Sequence, residues 1–157
     1  METKLSQEEM KYKQQLGYTQ GLVVSSMGKS GGLALLWKPE TKVVVQGFSR
    51  QHIDAHITCN KTGTKWRLTS FYVQPDTIKQ EETWSILESL SRTNQLSWLC
   101  IEDYNEIISQ SEKSGGRLRS SRQLDRFRRA INLCGFTTWA LLVHRSLGLK
   151  LIALKAA

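Results

Sequence analysis

"WLCIEDYNEIIS", residues 98–109, passes from an apolar run into three carboxylates and a carboxamide within five residues. The run Trp98 to Ile101 has the length and composition of a short buried strand, placed at 97–101 with Ser97. Glu102, Asp103, Asn105 and Glu106 then lie at its carboxyl end. In an extended chain side chains alternate between faces, so Asp103 and Asn105 point one way and Glu102 and Tyr104 the other. A carboxylate with an amide two residues on can hold a hard cation and place a water. Mg²⁺ needs little more than one or two carboxylates, with phosphate and water completing its shell. A polar strand end followed by a turn has the same spacing, and spacing alone leaves both readings open.

Upstream, β-rich runs follow one another: "GLVVSS" (21–26), "GLALLWK" (32–38), "KVVVQGF" (42–48), "HIDAHIT" (52–58) and "KWRLTSFYV" (65–73). Gly, Ser, Pro or Asn clusters punctuate most of them, as successive strands require. Ile53, Ala55 and Ile57 alternate with polar residues, which predicts a half-buried strand. Helices are expected at three places. Ser6 to Gly17 has a capping box (Ser6, Glu9), a possible staple (Leu5, Met10) and a glycine stop. Pro75-Asp76-Thr77 opens a second helix, with Thr77 and Gln80 able to cap it and Trp84, Leu87 and Leu90 on its apolar face. Residues 121–135 form the third. There Leu124, Phe127, Ile131 and Cys134 share a face, Ser121 can cap the start and Gly135 the end. Between them, 111–121 reads as a polar loop. Strands broken by helices predict an α/β layered domain with helices outside. The tail 137–157 is apolar but poorly phased and shows no further layer.

The chain has 157 residues, 39% hydrophobic and 23% charged, with a net charge of +8. That length suits one domain and the composition is globular. A basic balance favours an anionic partner such as nucleic acid. The three cysteines, Cys59, Cys100 and Cys134, are far apart without a CxxC, and Cys100 and Cys134 sit in apolar runs. Buried reduced thiols are expected. No signal peptide opens the sequence and no uncharged run is long enough for a bilayer, so an intracellular protein, nuclear or cytoplasmic, is expected rather than a secreted or membrane-spanning one.

Two motifs dissolve on inspection. "GKS" at 28–30 has Val23 where a phosphate loop needs glycine, and it runs into a strand rather than a helix. His52 and His56 on a strand would stand about 13 Å apart, too far to share one zinc ion. The basic segment is different. Lys113, Arg117, Arg119, Arg122, Arg126, Arg128 and Arg129 are opposed only by Asp125, so 113–129 carries +6 of the net +8. Arginine is the side chain best shaped for bidentate phosphate contacts. Nucleic-acid binding through these arginines and a solvated helix face are both open on the sequence.

Five blocks in order carry a resemblance: "SGGLALLWK" (30–38), "SRQHIDAHI" (49–57), "WRLTSFYVQPDT" (66–77), "SWLCIEDYNEI" (97–107) and "EKSGGRLRSSRQLDRFRRAINLCGF" (112–136). Residues 1–136 resemble the endonuclease/exonuclease/phosphatase family, whose members include deoxyribonuclease I. Within it they resemble the endonuclease domain of plant non-LTR (LINE-type) retrotransposons, while 137–157 carries no family resemblance. The resemblance implies an α/β (α+β) fold, a partial four-layer sandwich of two mixed β-sheets with outer helices. It also implies Mg²⁺-dependent hydrolysis of DNA phosphodiesters. "METK" resembles the segment bearing the metal-binding Glu, which implies Glu2 as the Mg²⁺ ligand. "FYVQPDT" resembles the Tyr-containing strand end, which implies Tyr72 near the scissile phosphate. "EDYN" resembles the Gly-Asp-Phe-Asn motif. Asp103 would then orient or deprotonate the water, or protonate the leaving group, and Asn105 would bond the phosphate or help place Asp103.

Three departures bear on activity. The family's first strand, with its Asn motif, has no counterpart before Met1. Its closing Ser-Asp-His motif has none in the tail, where His144 stands among non-matching neighbours. Glu102 replaces the family's Gly, and a carboxylate on the packed face costs several kcal/mol unless paired, protonated or moved to solvent. The expectation is a truncated endonuclease-like domain whose ancestral DNA cleavage is lost. The alternative is a non-catalytic nucleic-acid-binding fragment that uses 113–129.

Overall fold

A computed structural model of the chain describes residues 2–3, 17–25, 32–73, 77–103, 106–112, 115, 118–136 and 150–155. The strands are β1 (Glu2–Thr3), β2 (Gln20–Val24), β3 (Gly32–Trp37), β4 (Lys42–Phe48), β5 (His52–Thr58), β6 (Lys65–Tyr72), β7 (Trp98–Asp103) and β8 (Lys150–Lys155). Two helices, α1 (Thr77–Ser91) and α2 (Ser121–Leu133), flank β7 in sequence. The helix expected at 6–17 falls largely outside the described residues.

The strands form a three-stranded sheet in the order β1-β3-β2 and a five-stranded sheet in the order β4-β5-β6-β7-β8. Within the larger sheet β6 and β7 pair in parallel and the other neighbours antiparallel. The smaller sheet is antiparallel throughout, so of the two sheets expected to be mixed, the larger one is. The sheets meet through Leu33, Ile53 and Tyr72, with Leu22, Val24 and Leu35 packed around them. The other face of the larger sheet carries α1 and α2. Phe71, Trp98 and Cys100 from the strands meet Trp84 and Leu87 of α1 and Phe127, Ala130 and Ile131 of α2. Sheet, sheet and helices are thus three layers of an α+β sandwich.

Strand β5 is covered on both faces, so the half-buried expectation is corrected. Ile53 and Ala55 face the smaller sheet, and Asp54 on the helix side is 4% exposed. Arg67 of β6 is fully buried beside it. Its Nε and Nη2 donate to the two Asp54 oxygens at 2.7 and 3.0 Å, a fork on a carboxylate. Nη1 donates to the Leu90 carbonyl at 2.6 Å. Thr69 Oγ1 donates to Asp54 at 2.6 Å and receives Trp98 Nε1 at 2.8 Å. The guanidinium lies 4.4 Å from the Trp98 ring centroid, within cation–π range. One network ties β5, β6, β7 and the last turn of α1.

The local signals place α2 well, with one shift. Ser120, not Ser121, is the N-cap: its Oγ accepts from the Gln123 backbone N–H and the Gln123 side chain reaches back to the Ser120 N–H. At the other end Gly135 has φ +68°. Its N–H bonds Asn132 O and the Phe136 N–H bonds Ile131 O, a Schellman closure that buries Phe136 against Ile131. The tail, unphased by eye, supplies β8 on the outer side of β7.

Removing one member of the Arg67 network leaves a buried, uncompensated charge. Asp54→Ala is expected to lower unfolding free energy by about 3–5 kcal/mol. Urea unfolding followed by tryptophan fluorescence reads this, and a loss under 1 kcal/mol would show that the network is incidental.

Candidate active site at the strand ends

The strand from Trp98 extends two residues further than its apolar run predicts, through Glu102 and Asp103. Continued pairing with β6 explains this, because the parallel register runs unbroken from Arg67↔Trp98 to Tyr72↔Asp103. Asp103 therefore occupies the ladder position beside Tyr72, about 4.8 Å away across the hydrogen-bonding direction. Glu102 takes the position opposite Phe71, whose ring lies in the helix-side core. Carboxyl ends of parallel strands are where α/β sheets place their ligand sites.

Tyr72 is 4% exposed and packs with Leu33 and Ile53 between the sheets, and its backbone N–H donates to the Gln51 carbonyl at 2.8 Å. Leu33 is the ladder partner of Glu2. Glu2 lies beside Leu33, Leu33 belongs with Ile53 and Tyr72 to one core cluster, and Tyr72 lies beside Asp103, so the ladders and this cluster link three expected site positions. Asn105 and Arg117 lie outside the described residues. Two carboxylate-bearing positions at a strand end suit Mg²⁺, which takes oxygen ligands and keeps several waters. Glu2, the Mg²⁺ ligand that the resemblance implies, has its backbone in β1 as the ladder partner of Leu33. Among the described residues no cluster of three His, Cys, Asp or Glu side chains forms.

The histidines of β5 face elsewhere. His52 and His56 share the helix-side face with Asp54, opposite Phe71 and Arg67 in register. His52 stacks on Phe71 with ring centroids 5.6 Å apart, and its Nδ1 is 2.8 Å from Ser49 Oγ. His56 Nε2 is 3.3 Å from Asn94 Nδ2. Neither reaches the inter-sheet position of Tyr72.

Beyond β7 the chain is held to the helices. Glu106, 3% exposed, accepts from Gln80 Nε2 at 2.9 Å and pairs with Arg119 Nε at 3.4 Å. Gln80, a candidate cap by its position, therefore reaches into this loop. Arg128 Nε donates to the Ile108 carbonyl at 2.9 Å, and its Nη1 meets Asp125 at 3.3 Å. Arg126 pairs with Glu81 of α1 at 2.6 Å across exposed surface. Arg122 and Arg129 are exposed and make no ion pair among the described residues. The sequence showed the basic run but not this division, because every acidic partner except Asp125 lies in another segment.

No family model matches the sequence, and no curated protein matches it. Solved structures do. The endonuclease domain of TRAS1, a telomere-specific non-LTR retrotransposon, superposes with a TM-score of 0.57 at 13% identity over 87% of this chain and 66% of that one. The chain shares that domain's fold. The human Nocturnin catalytic domain with bound sulfate matches with a TM-score of 0.47 at 14% identity, over 64% of this chain and 47% of that one. An endonuclease/exonuclease/phosphatase family protein from Bacteroides thetaiotaomicron gives 0.48 at 13%, over 75% and 49%. The chain spans 47% to 66% of the length of these three structures. The fold is α+β, the arrangement seen in the TRAS1 endonuclease domain.

Burial holds the pKa of His52 below its ordinary value; Asp54 opposes this and Arg67 adds to it. The unfolded chain then binds the proton more readily than the folded one. His52 contributes stability that is fully present above about pH 6.5 and is lost as pH falls from there through the lowered folded value. The melting temperature is expected to drop between pH 7.5 and 5 by less in His52→Gln than in the wild type; equal drops would remove His52 as the cause.

Proposed function

We propose that the chain is an endonuclease-like domain of the non-LTR retrotransposon kind that engages DNA at the strand ends but does not cleave it alone. One observation carries the reading: Asp103 stands beside Tyr72 at the carboxyl ends of paired parallel strands, in a fold shared with a retrotransposon endonuclease domain. A DNA partner also fits the net charge of +8 and implies a nuclear or cytoplasmic setting.

The roles follow from residue chemistry. Asp103 can accept a hydrogen bond from water and, when ionised, draw its proton as it attacks phosphorus. The Tyr72 hydroxyl can donate to a phosphate oxygen. Glu2 would hold Mg²⁺, which when bound would offset charge on the phosphorane-like transition state. What these residues do not supply is a second proton-transfer group on the leaving side. The resemblance also implies a histidine, from the closing Ser-Asp-His motif, in contact with the scissile phosphate, and the two histidines of β5 lie on the opposite face of the sheet. Half the machinery orients a phosphodiester and water without completing the transfer.

A supercoiled-plasmid assay in Mg²⁺, run beside duplex binding, tests this. Binding without relaxed circles above an EDTA control is expected. Nicking that disappears in Asp103→Ala would show that hydrolysis persists. Absence of any duplex binding would remove DNA as the partner.

A further inference from the structure

The ion pairs divide the basic segment by task. Arg119 and Arg128 are spent on the loop after β7, one on buried Glu106 and the other on the Ile108 carbonyl. Arg126 is shared with Glu81 of α1, a solvated pair that holds it weakly. Arg122 and Arg129 are left. At 100° per residue, Arg122, Arg126 and Arg129 fall within a stripe about 60° wide. That stripe lies opposite Leu124, Phe127 and Ile131, the residues buried against the sheet. It borders a groove of about 520 Å³ lined by Ser121, Arg122, Asp125, Arg126 and Arg129. Asp125 is the one carboxylate there, and Arg128 engages it at 3.3 Å.

The stripe also sits at the relevant end. Glu81, Trp84 and Leu87 of α1 meet Arg126, Phe127 and Cys134 in that order, so the helices run in parallel. α1 starts four residues after Val73, just beyond the carboxyl end of β6. The first turn of α2, with Arg122, is therefore at the same end of the layer as Tyr72 and Asp103. From Arg122 to Arg129 the helix rises roughly 10 Å, at about 1.5 Å per residue. That matches about three base-pair steps of rise along the duplex axis, at about 3.4 Å each.

We propose that Arg122 and Arg129 contact the phosphate backbone of duplex DNA flanking the strand-end site, with Arg126 between them and Arg119 and Arg128 serving only to fix the loop. This rests on the proposed DNA partner but not on hydrolysis. It makes the substrate a polynucleotide long enough to reach α2 rather than a small phosphate ester.

The test is fluorescence anisotropy with a labelled duplex of about 20 base pairs and the full chain, in EDTA, across a KCl series. Each phosphate contact contributes about 0.9 to the log–log salt slope, so Arg122→Ala/Arg129→Ala should lower the slope by about two. Lys42→Ala/Lys65→Ala removes the same charge from exposed positions at the far end of the larger sheet and should leave the slope nearly unchanged. Circular dichroism melts confirm that both variants fold. An unchanged slope in the arginine variant, an equal fall in the lysine variant, or no duplex binding by the wild type would overturn the proposal. Because no metal is present, a negative plasmid assay leaves this result intact, and failure here with nicking intact would concern the arginines alone.

Discussion

The fork of Arg67 on Asp54 is the constraint on which the rest of the structure depends. A fully buried guanidinium is tolerated only when its charge is paired and its remaining donors are used. Here two nitrogens take the carboxylate, a third takes the Leu90 carbonyl, and the ring of Trp98 covers the charge. Each partner lies on a different element. Asp54 sets β5 against β6, Trp98 sets β7 against β6, and Leu90 fixes where α1 ends. A one-residue slip of β7 would exchange its two faces, sending Trp98 and Cys100 away from the helices. The register that satisfies Arg67 at one end of β6 therefore also places Asp103 beside Tyr72 at the other, five ladder steps away.

Much of this was legible in local patterns. The runs at 32–38, 42–48, 52–58 and 65–73 became strands with bounds shifted by a residue or less, because glycine, proline and polar clusters punctuate them. The apolar face of α2 and its glycine stop were equally plain. What stayed hidden depends on partners distant in sequence. Asp54 reads as the polar half of an alternating strand until Arg67, 13 residues on, is seen to neutralise it. The strand at 98 seemed to end with its apolar residues, whereas pairing with β6 carries it through Asp103. Strand β8 has no alternation of its own and is defined by the free edge of β7. Ser120 displaced Ser121 as cap because only Ser120 stands three residues before a glutamine, which completes the box.

The candidate site was legible as a set of positions and not as an arrangement. Glu2, Tyr72 and Asp103 come from segments separated by many residues, yet the β1-β3 ladder, the cluster of Leu33, Ile53 and Tyr72, and the β6-β7 ladder link their positions. The basic run showed its charge in the sequence but not its division, since Glu81 and Glu106 lie in other segments. Arg122 and Arg129, which make no ion pair among the described residues, are what the division leaves for the proposed DNA partner.

The claim that the strand ends form one metal- and phosphate-facing site is tested most directly by titrating Mn²⁺ into ¹⁵N-labelled protein. Paramagnetic broadening falls steeply with distance from the ion. Amide signals of Glu2, Leu33, Tyr72 and Asp103 should broaden first and together, while those of the last turn of α2 and of the Lys42 end of β4 stay sharp. Broadening spread evenly over the surface, or centred away from Tyr72 and Asp103, would contradict it.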